Sequence, residues 1–263
     1  MRIHFLLIVS ALVSTSLGSW SLGAQESEVR AIWVDSFNLG LRDSDQIDAP
    51  IARVKRGNLN TIIAQVRRNA QSLYQQSTEG WVENYTPPLG FDPLQDLIAK
   101  AHAEGIEVHA WVNIDPIYTG HPLIATASWP CKVPCDANHV FNQHGWGKPE
   151  EDYWLTRTHP SYTAGTLSPF LGERITGGAW WLDLGHPAAA QYVIEVLVHL
   201  LRNYDVDGLH LDFIRYPEVP ITPKPGGGLS FSTGYNPVSL RPFQRHVGPH
   251  CGHASQSVGC ELE

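Results

Sequence analysis

The chain has 263 residues, with 18 Lys and Arg against 26 Asp and Glu, a formal charge of −8, and nine Trp and nine Tyr. An acidic surface argues against nucleic acid and anionic membrane as partners, because both carry negative charge themselves. The aromatic load serves cores first, yet sugar-binding clefts use the same flat faces, so composition leaves both uses open.

Residues 1–24 read as an export signal. Arg2 and His4 precede F-L-L-I-V-S-A-L-V, and Leu22-Gly23-Ala24 offers a small-residue cleavage point before Gln25. That apolar run is too short and too rich in Ser and Thr to span a bilayer comfortably, and no later stretch could cross one. Its removal takes one Arg from the 18, leaving 17 basic against 26 acidic residues and a charge of −9. A secreted or periplasmic protein without stable membrane insertion is expected.

Four repeats of one theme follow. E-V-R-A-I-W-V-D-S-F (28–37) predicts a strand, and a helical pattern runs from about Asp45 to Arg56. N-T-I-I-A-Q-V-R (60–67) is the second strand. Residues 91–105 are a helix, with Asp92 as cap, Pro93 in the first turn and Gly105 at the end. It leads into the third strand, I-E-V-H-A-W-V-N (106–113). A helix over 187–204 and a strand over 206–216 make the fourth unit. Strands alternating with helices imply a parallel sheet wrapped by helices.

Alternate side chains of a strand share a face. If the apolar partners face the helices, the other face carries Trp33 and Asp35, Gln65 and Arg67, His109, Trp111 and Asn113, and His210 and Asp212. An open doubly wound sheet would bury that polar face under helices at a cost, and the dinucleotide fingerprint is absent after the first strand. The pattern therefore predicts an α/β fold of the (β/α)8 TIM-barrel type, with about the first four βα units legible. Residues 25–240 form its N-terminal part, and 114–180 are a long loop insertion after the third strand. Five tryptophans fall in that insertion (Trp129, Trp146, Trp154, Trp180, Trp181), which argues for an ordered cleft wall or a small satellite core. The cleft wall is the favoured expectation.

Among the four cysteines, Cys131 and Cys135 suit a local disulfide clip. The same spacing is half of a metal site, but no second pair accompanies it. Cys251 and Cys260 lie in the C-terminal stretch.

Seven ordered segments resemble the glycosyl hydrolase-like 10 family of exported bacterial proteins. They are R-A-I-W-V (30–34), N-T-I-I-A-Q-V-R (60–67), G-F-D-P-L (90–94), A-H-A-E-G-I-E-V-H-A-W-V-N (101–113), H-V-F-N (139–142), L-D-L-G-H-P (182–187) and Y-D-V-D-G-L-H-L-D-F-I-R-Y-P (204–217). The resemblance implies a TIM-barrel glycosidase fold and a link to cleavage of bacterial cell-wall glycan. Three departures stand out. Where the family often has Gly-Asp-Ala after Q-V-R, this chain has Arg68-Asn69-Ala70-Gln71-Ser72, with an amide where a carboxylate is expected near position 71. Leu184 stands where the family tends to have Pro. After Y-N-P-V-S-L (235–240), residues 241–263 form an aberrant tail of His, Gly and Cys without amphipathic period. A disturbed reading frame near Arg241, or disorder, is expected there. Eight βα units need roughly 200 residues or more, and four are legible.

Glycoside hydrolysis uses two carboxylates flanking the scissile bond. Asp212 is the first candidate, since it ends a strand with inward parity, where barrel enzymes place catalytic acids; a structural acid paired with Arg215 is the alternative. Asp35 and Asp115 are candidates for the second acid, with Glu218 just beyond the fourth strand. Asp183 reads as setting up the following helix, and Asp207 as a structural turn residue. Candidate substrate-binding residues are His210, Arg67, Gln65, Trp111, Asn113, Trp33, Arg215 and Tyr216. His210 either meets a sugar hydroxyl or is a satisfied core histidine, and Arg67 either meets an acidic substituent or forms a salt bridge. Three functions stand: a glycoside hydrolase on a polysaccharide such as peptidoglycan glycan strands, a catalytically incomplete glycan-binding protein, and a metal-dependent hydrolase using His109, His210 and Asp212. The first two call for no cofactor and no metal.

Overall fold

The computed structural model describes residues 28–38, 40–119, 133–157, 179–216, 234 and 236–241. The expected export signal, Trp129, Cys131, Glu218, Cys251, Cys260 and the tail from residue 242 lie outside the described residues. In chain order the elements are β1 (Ala31–Val34), α1 (Ser44–Arg56), β2 (Thr61–Arg68), β3 (Gln71–Ser72), α2 (Pro93–Ala103), β4 (Glu107–Asn113), β5 (Pro116–Tyr118), α3 (Val140–His144), β6 (Trp180–Trp181), α4 (Pro187–Asn203) and β7 (Gly208–Asp212). A single 3-10 turn covers Glu150–Asp152.

Local chemistry sets the helix ends. Asp43 accepts from the Gln46 N–H at 2.8 Å to start α1, which turns Ile47, Pro50, Ile51 and Val54 inward. Asp92 caps α2 by accepting from the N–H groups of Leu94 and Gln95, and Pro93 fills the first turn, where a missing N–H costs nothing. The chain leaves α2 through Gly105 at φ +67°. His139 and His186, from the segments H-V-F-N and L-D-L-G-H-P, are N-caps as well: their Nδ1 atoms accept from Phe141 N–H and Ala188 N–H at 3.1 and 3.2 Å. His139 also donates from Nε2 to the Asn69 carbonyl at 2.7 Å, which fixes its tautomer and ties α3 to the β2–β3 turn.

The main sheet runs β1-β2-β4-β7 with every neighbour parallel, and β3 folds back antiparallel on β2. β5 and β6 form a separate antiparallel pair. Val108, Ala110 and Val112 of β4 face the helix side, in one core with Leu94, Leu97, Ile98 and Ala101 of α2. The fold is thus a mostly parallel α/β sheet with helices on one side. Its other side is concave. β1 and β7 stand three strand spacings apart, about 14 Å on a flat sheet, yet the Trp33 ring meets His210 at 4.5 Å and Trp111 at 5.0 Å between centroids. Only a sheet curled toward that face brings those rings together. Gly208 permits the packing beside it, since a Cβ there would lie 2.7 Å from Nδ1 of His109.

Of the long connection, residues 114–119, 133–157 and 179–180 are described. Trp180 and Trp181 are buried, Phe141 packs between Tyr118 and Trp180 at 4.7 and 5.3 Å, and Trp154 stacks on His144 at 3.4 Å. Tyr118, Phe141 and Trp180 belong to the same hydrophobic core as the main sheet and its helices, and Trp154 packs against it, because large apolar faces gain more from one another than from water. Cys135 is disulfide-bonded. Arg241 ends a helical turn at 237–241 and reaches Glu150 and Glu151 at 3.1 and 2.8 Å.

Candidate active site

The concave face carries the residues that alternation assigned to it, up to one break. Asp212 ends β7 opposite Asn113, and its Oδ2 accepts from Trp111 Nε1 at 2.9 Å. Its Oδ1 accepts from the Phe213 N–H at 2.7 Å. Phe213 takes φ +52°, an outlier for a bulky side chain, so the backbone is strained directly after this acid. His210 lies two residues earlier, edge-on to Trp33, which is 53% exposed. Trp33, Trp111, His210 and Asp212 therefore form one surface.

Gln65 and Asn113 are brought together below it, but they bond each other. Gln65 Nε2 donates to Asn113 Oδ1 at 3.2 Å, while Gln65 Oε1 accepts from Ser36 N–H and Oγ at 3.1 and 2.7 Å. Both amides are buried, and they tie the end of β1 to β2 and β4.

Alternation breaks between Gln65 and Arg67. A β-bulge there pairs Gln65 with Trp111 but Arg67 with Val112, which faces the helices. Arg67 is only 1% exposed and lies in the helix-side layer. Its Nε and Nη2 bond Glu79 at 2.7 and 2.6 Å, and Nη1 bonds the carbonyls of Asn113 and Ile114. Tyr192 of α4 donates its hydroxyl to Glu79. Burial alone lowers a guanidinium's pKa, but Glu79 more than offsets it and holds Arg67 above its ordinary value. The placement of Arg67 on the concave face is corrected: the bulge turned it away, and its contacts are those of a salt bridge.

The other acids divide. Asp35 folds over its own turn: Oδ1 accepts from the N–H groups of Phe37 and Asn38, both at 2.8 Å, and the Asn38 amide reaches both oxygens. Burial raises its pKa, but the Asn38 and Phe37 donors prevail and hold it below the usual carboxylate value. These are the contacts of a turn-forming acid. Asp115, just beyond β4, is buried, with Oδ2 accepting from the Arg215 N–H at 3.1 Å and Oδ1 accepting nothing among the described residues. Burial pushes its pKa to about 7; Asp183 adds to the rise, while the Arg215 N–H and Arg67 oppose it. Asp183 is fully buried, and its Oδ1 accepts from Tyr216 Oη at 2.9 Å and Gly185 N–H at 3.0 Å. It does set up the turn into α4, and Tyr216 spends its hydroxyl there. The Arg215 guanidinium stands 5.4 Å from the Phe213 ring centroid. Asp207 bonds the Val108 N–H and His102 Nε2, both at 2.8 Å, at the other end of the sheet.

Sequence reasoning missed Arg68. Past the bulge it sits at the C-terminal rim of β1 and β2, its guanidinium carbon 3.9 Å from the Phe37 ring centroid. The sequence signal was the Arg67-Arg68 pair, and only the bulge decides which one faces where. A cavity of ≈ 340 Å³ opens along β1, lined by Trp33, Asp35, Asn38, Pro50 and Arg53, but neither Trp111 nor Asp212 lines it. Among the described residues, no three His, Cys, Asp or Glu side chains approach closely enough to hold a metal ion, and no helix is long and apolar enough to cross a membrane.

Similarity to known proteins accords with these elements. Glycosyl hydrolase YngK of Bacillus subtilis (strain 168) is 24% identical over 231 residues, covering 80% of this chain and 39% of that protein. Glycosyl hydrolase DigH of Escherichia coli (strain K12) is 24% identical over 171 residues, covering 64% of this chain and 33% of that protein. The chain thus spans well under half the length of these relatives. Among solved structures it is similar to alpha-L-fucosidase isoenzyme 2 from Paenibacillus thiaminolyticus, with TM-score 0.46 and 17% identity, covering 74% of this chain and 25% of that one. The model of one family matches residues 28–222, from the residues before β1 to those beyond β7, and on that match the chain belongs to the glycosyl hydrolase-like 10 family.

Proposed function

We propose that this protein is an exported glycoside hydrolase that cuts a polysaccharide, with peptidoglycan glycan strands as the substrate class, on the concave face of a βα barrel. The observation that carries the reading is the bond from Trp111 Nε1 to Asp212 Oδ2, on a face that also exposes the Trp33 ring. Family membership supports the chemistry, and the curl of the four parallel strands supports the barrel.

Two carboxylates divide the work. Asp115, with its pKa raised to about 7, is suited to keep a proton near neutrality and give it to the leaving oxygen. Asp212, steered by two N–H donors, attacks the sugar or activates the water that replaces the leaving group. Trp33 stacks on a sugar face, and His210 packs behind that ring. The N-terminal segment 1–24 directs export.

Purified glycan strands incubated with the chain should release reducing ends. Asp212→Asn should lower the rate by about 100-fold or more with an unchanged circular dichroism spectrum. Undiminished release would mean that this acid is wrongly assigned. A second reading, binding without cleavage, is favoured by Gln71: it is buried, and its Oε1 accepts from the Glu83 N–H at 3.3 Å, where the family resemblance puts a carboxylate. Strands retained by the wild-type chain without any release of reducing ends would select it.

A further inference from the structure

We propose that Arg68, together with Arg42 and the Phe37 ring, forms a subsite for a carboxylate carried by the glycan; this rests on the reading of the concave face as a glycan site. The bulge after Gln65 buries Arg67 and leaves Arg68 at the rim where β1 and β2 end. Arg68 makes no side-chain hydrogen bond or ion pair among the described residues, and its Nε is shielded from solvent without an acceptor. The Nε of Arg42 is in the same condition; that side chain has one long bond, from Nη2 to the Ser36 carbonyl at 3.4 Å, and stands 5.7 Å from the Tyr85 ring.

Arg42 reaches the Ser36 carbonyl and Arg68 lies over the ring of Phe37, the next residue, so two guanidiniums share one stretch of the rim, and shielding their Nε groups from water is costly unless something accepts their protons. The nearby acids do not. Asp35 spends its oxygens on Phe37 and Asn38, and Glu83 accepts from the Cys135 N–H at 3.4 Å. Burial and Arg42 together hold the Arg68 pKa below its ordinary value, against the pull of Asp35 and Glu83. A bound carboxylate would meet the planar fork of Arg68 with two parallel bonds and cancel the repulsion. Phe37, 63% exposed, gives the apolar face of the sugar a surface to rest on. Arg68 ends β2 and Asp212 ends β7, so the subsite lies toward the same strand-end edge of the sheet as Asp212.

The ligand chemistry is a carboxylate either on the sugar ring, as in a uronic acid, or ether-linked to it, as in the lactyl group of peptidoglycan strands. Calorimetric binding at low salt would use peptidoglycan glycan strands and oligogalacturonides, each beside its carboxyl-reduced form. At least one acidic form should bind on the order of tenfold tighter than its reduced partner, and the pair showing this identifies the source. Arg68→Gln should remove the preference while leaving the reduced glycan within about twofold, and Arg42→Gln should weaken it by a smaller factor. If Arg68→Gln does not fold, Arg42→Gln and the wild-type comparison carry the test. Equal binding of acidic and reduced forms in both pairs would overturn the subsite while leaving the glycan reading intact. Binding of neither form of either glycan would overturn both.

Discussion

Arg67 and Arg68 are neighbours in sequence, and the two sides of the sheet treat them in opposite ways. On the helix side, Arg67, Glu79 and Tyr192 satisfy one another in a buried layer. At the rim, Arg68, Arg42 and Asp115 keep polar atoms that no protein group meets among the described residues. A closed network of this kind holds a fold together, whereas groups shielded yet unbonded cost stability and are retained where a ligand or a proton completes them. The closed network lies behind the sheet, and the unmet polar atoms of Arg68, Arg42 and Asp115 lie toward the strand ends.

The largest expected effect tests the closed side. Glu79→Ala strands a buried guanidinium and should cost about 3–5 kcal/mol by urea unfolding. Arg68→Gln should cost less than about 1 kcal/mol. Equal losses would erase the distinction between the two layers.

A second test concerns Asp115. Its folded pKa, about 7, lies above its ordinary value of 3.8. The folded state therefore holds the proton more tightly, and that contribution is present below pH 4 and lost as pH rises through 7. Unfolding free energy should fall between pH 4 and 8 by at most about 3–4 kcal/mol from this group. Asp115→Asn should flatten that slope, and an unchanged slope would mean that the carboxyl titrates normally.

The smallest effect belongs to the β2–β3 turn. Asn69 and Ala70 both take positive φ, 51° and 52°, in a two-residue hairpin whose second position suits glycine. Ala70→Gly should raise stability by about 0.5–1 kcal/mol, read as an upward shift of the urea midpoint. A lower midpoint would show that the buried Ala70 methyl outweighs the backbone strain.

The sequence was legible where a local rule decides the outcome. Asp92, Pro93 and Gly105 marked α2 because capping and φ preference act within one turn. Strict alternation put Trp33, Trp111, His210 and Asp212 on one face because the pleat has period two. It failed at Arg67 because a bulge inserts one residue without changing the apolar pattern before it. Glu79, the partner of Arg67, comes from an irregular loop with no periodicity to place it. The tryptophans of the long connection looked available for a cleft, yet Trp180 and Trp181 are buried, since their neighbours in space lie far away in sequence.

The most direct test of the central claim is a crystal structure of the Asp212→Asn variant with a glycan oligosaccharide bound. A sugar ring is expected against Trp33, with a glycosidic oxygen within about 3 Å of the substituted side chain or of Asp115. An oligosaccharide seated instead in the cavity between β1 and α1, out of reach of position 212, would contradict it.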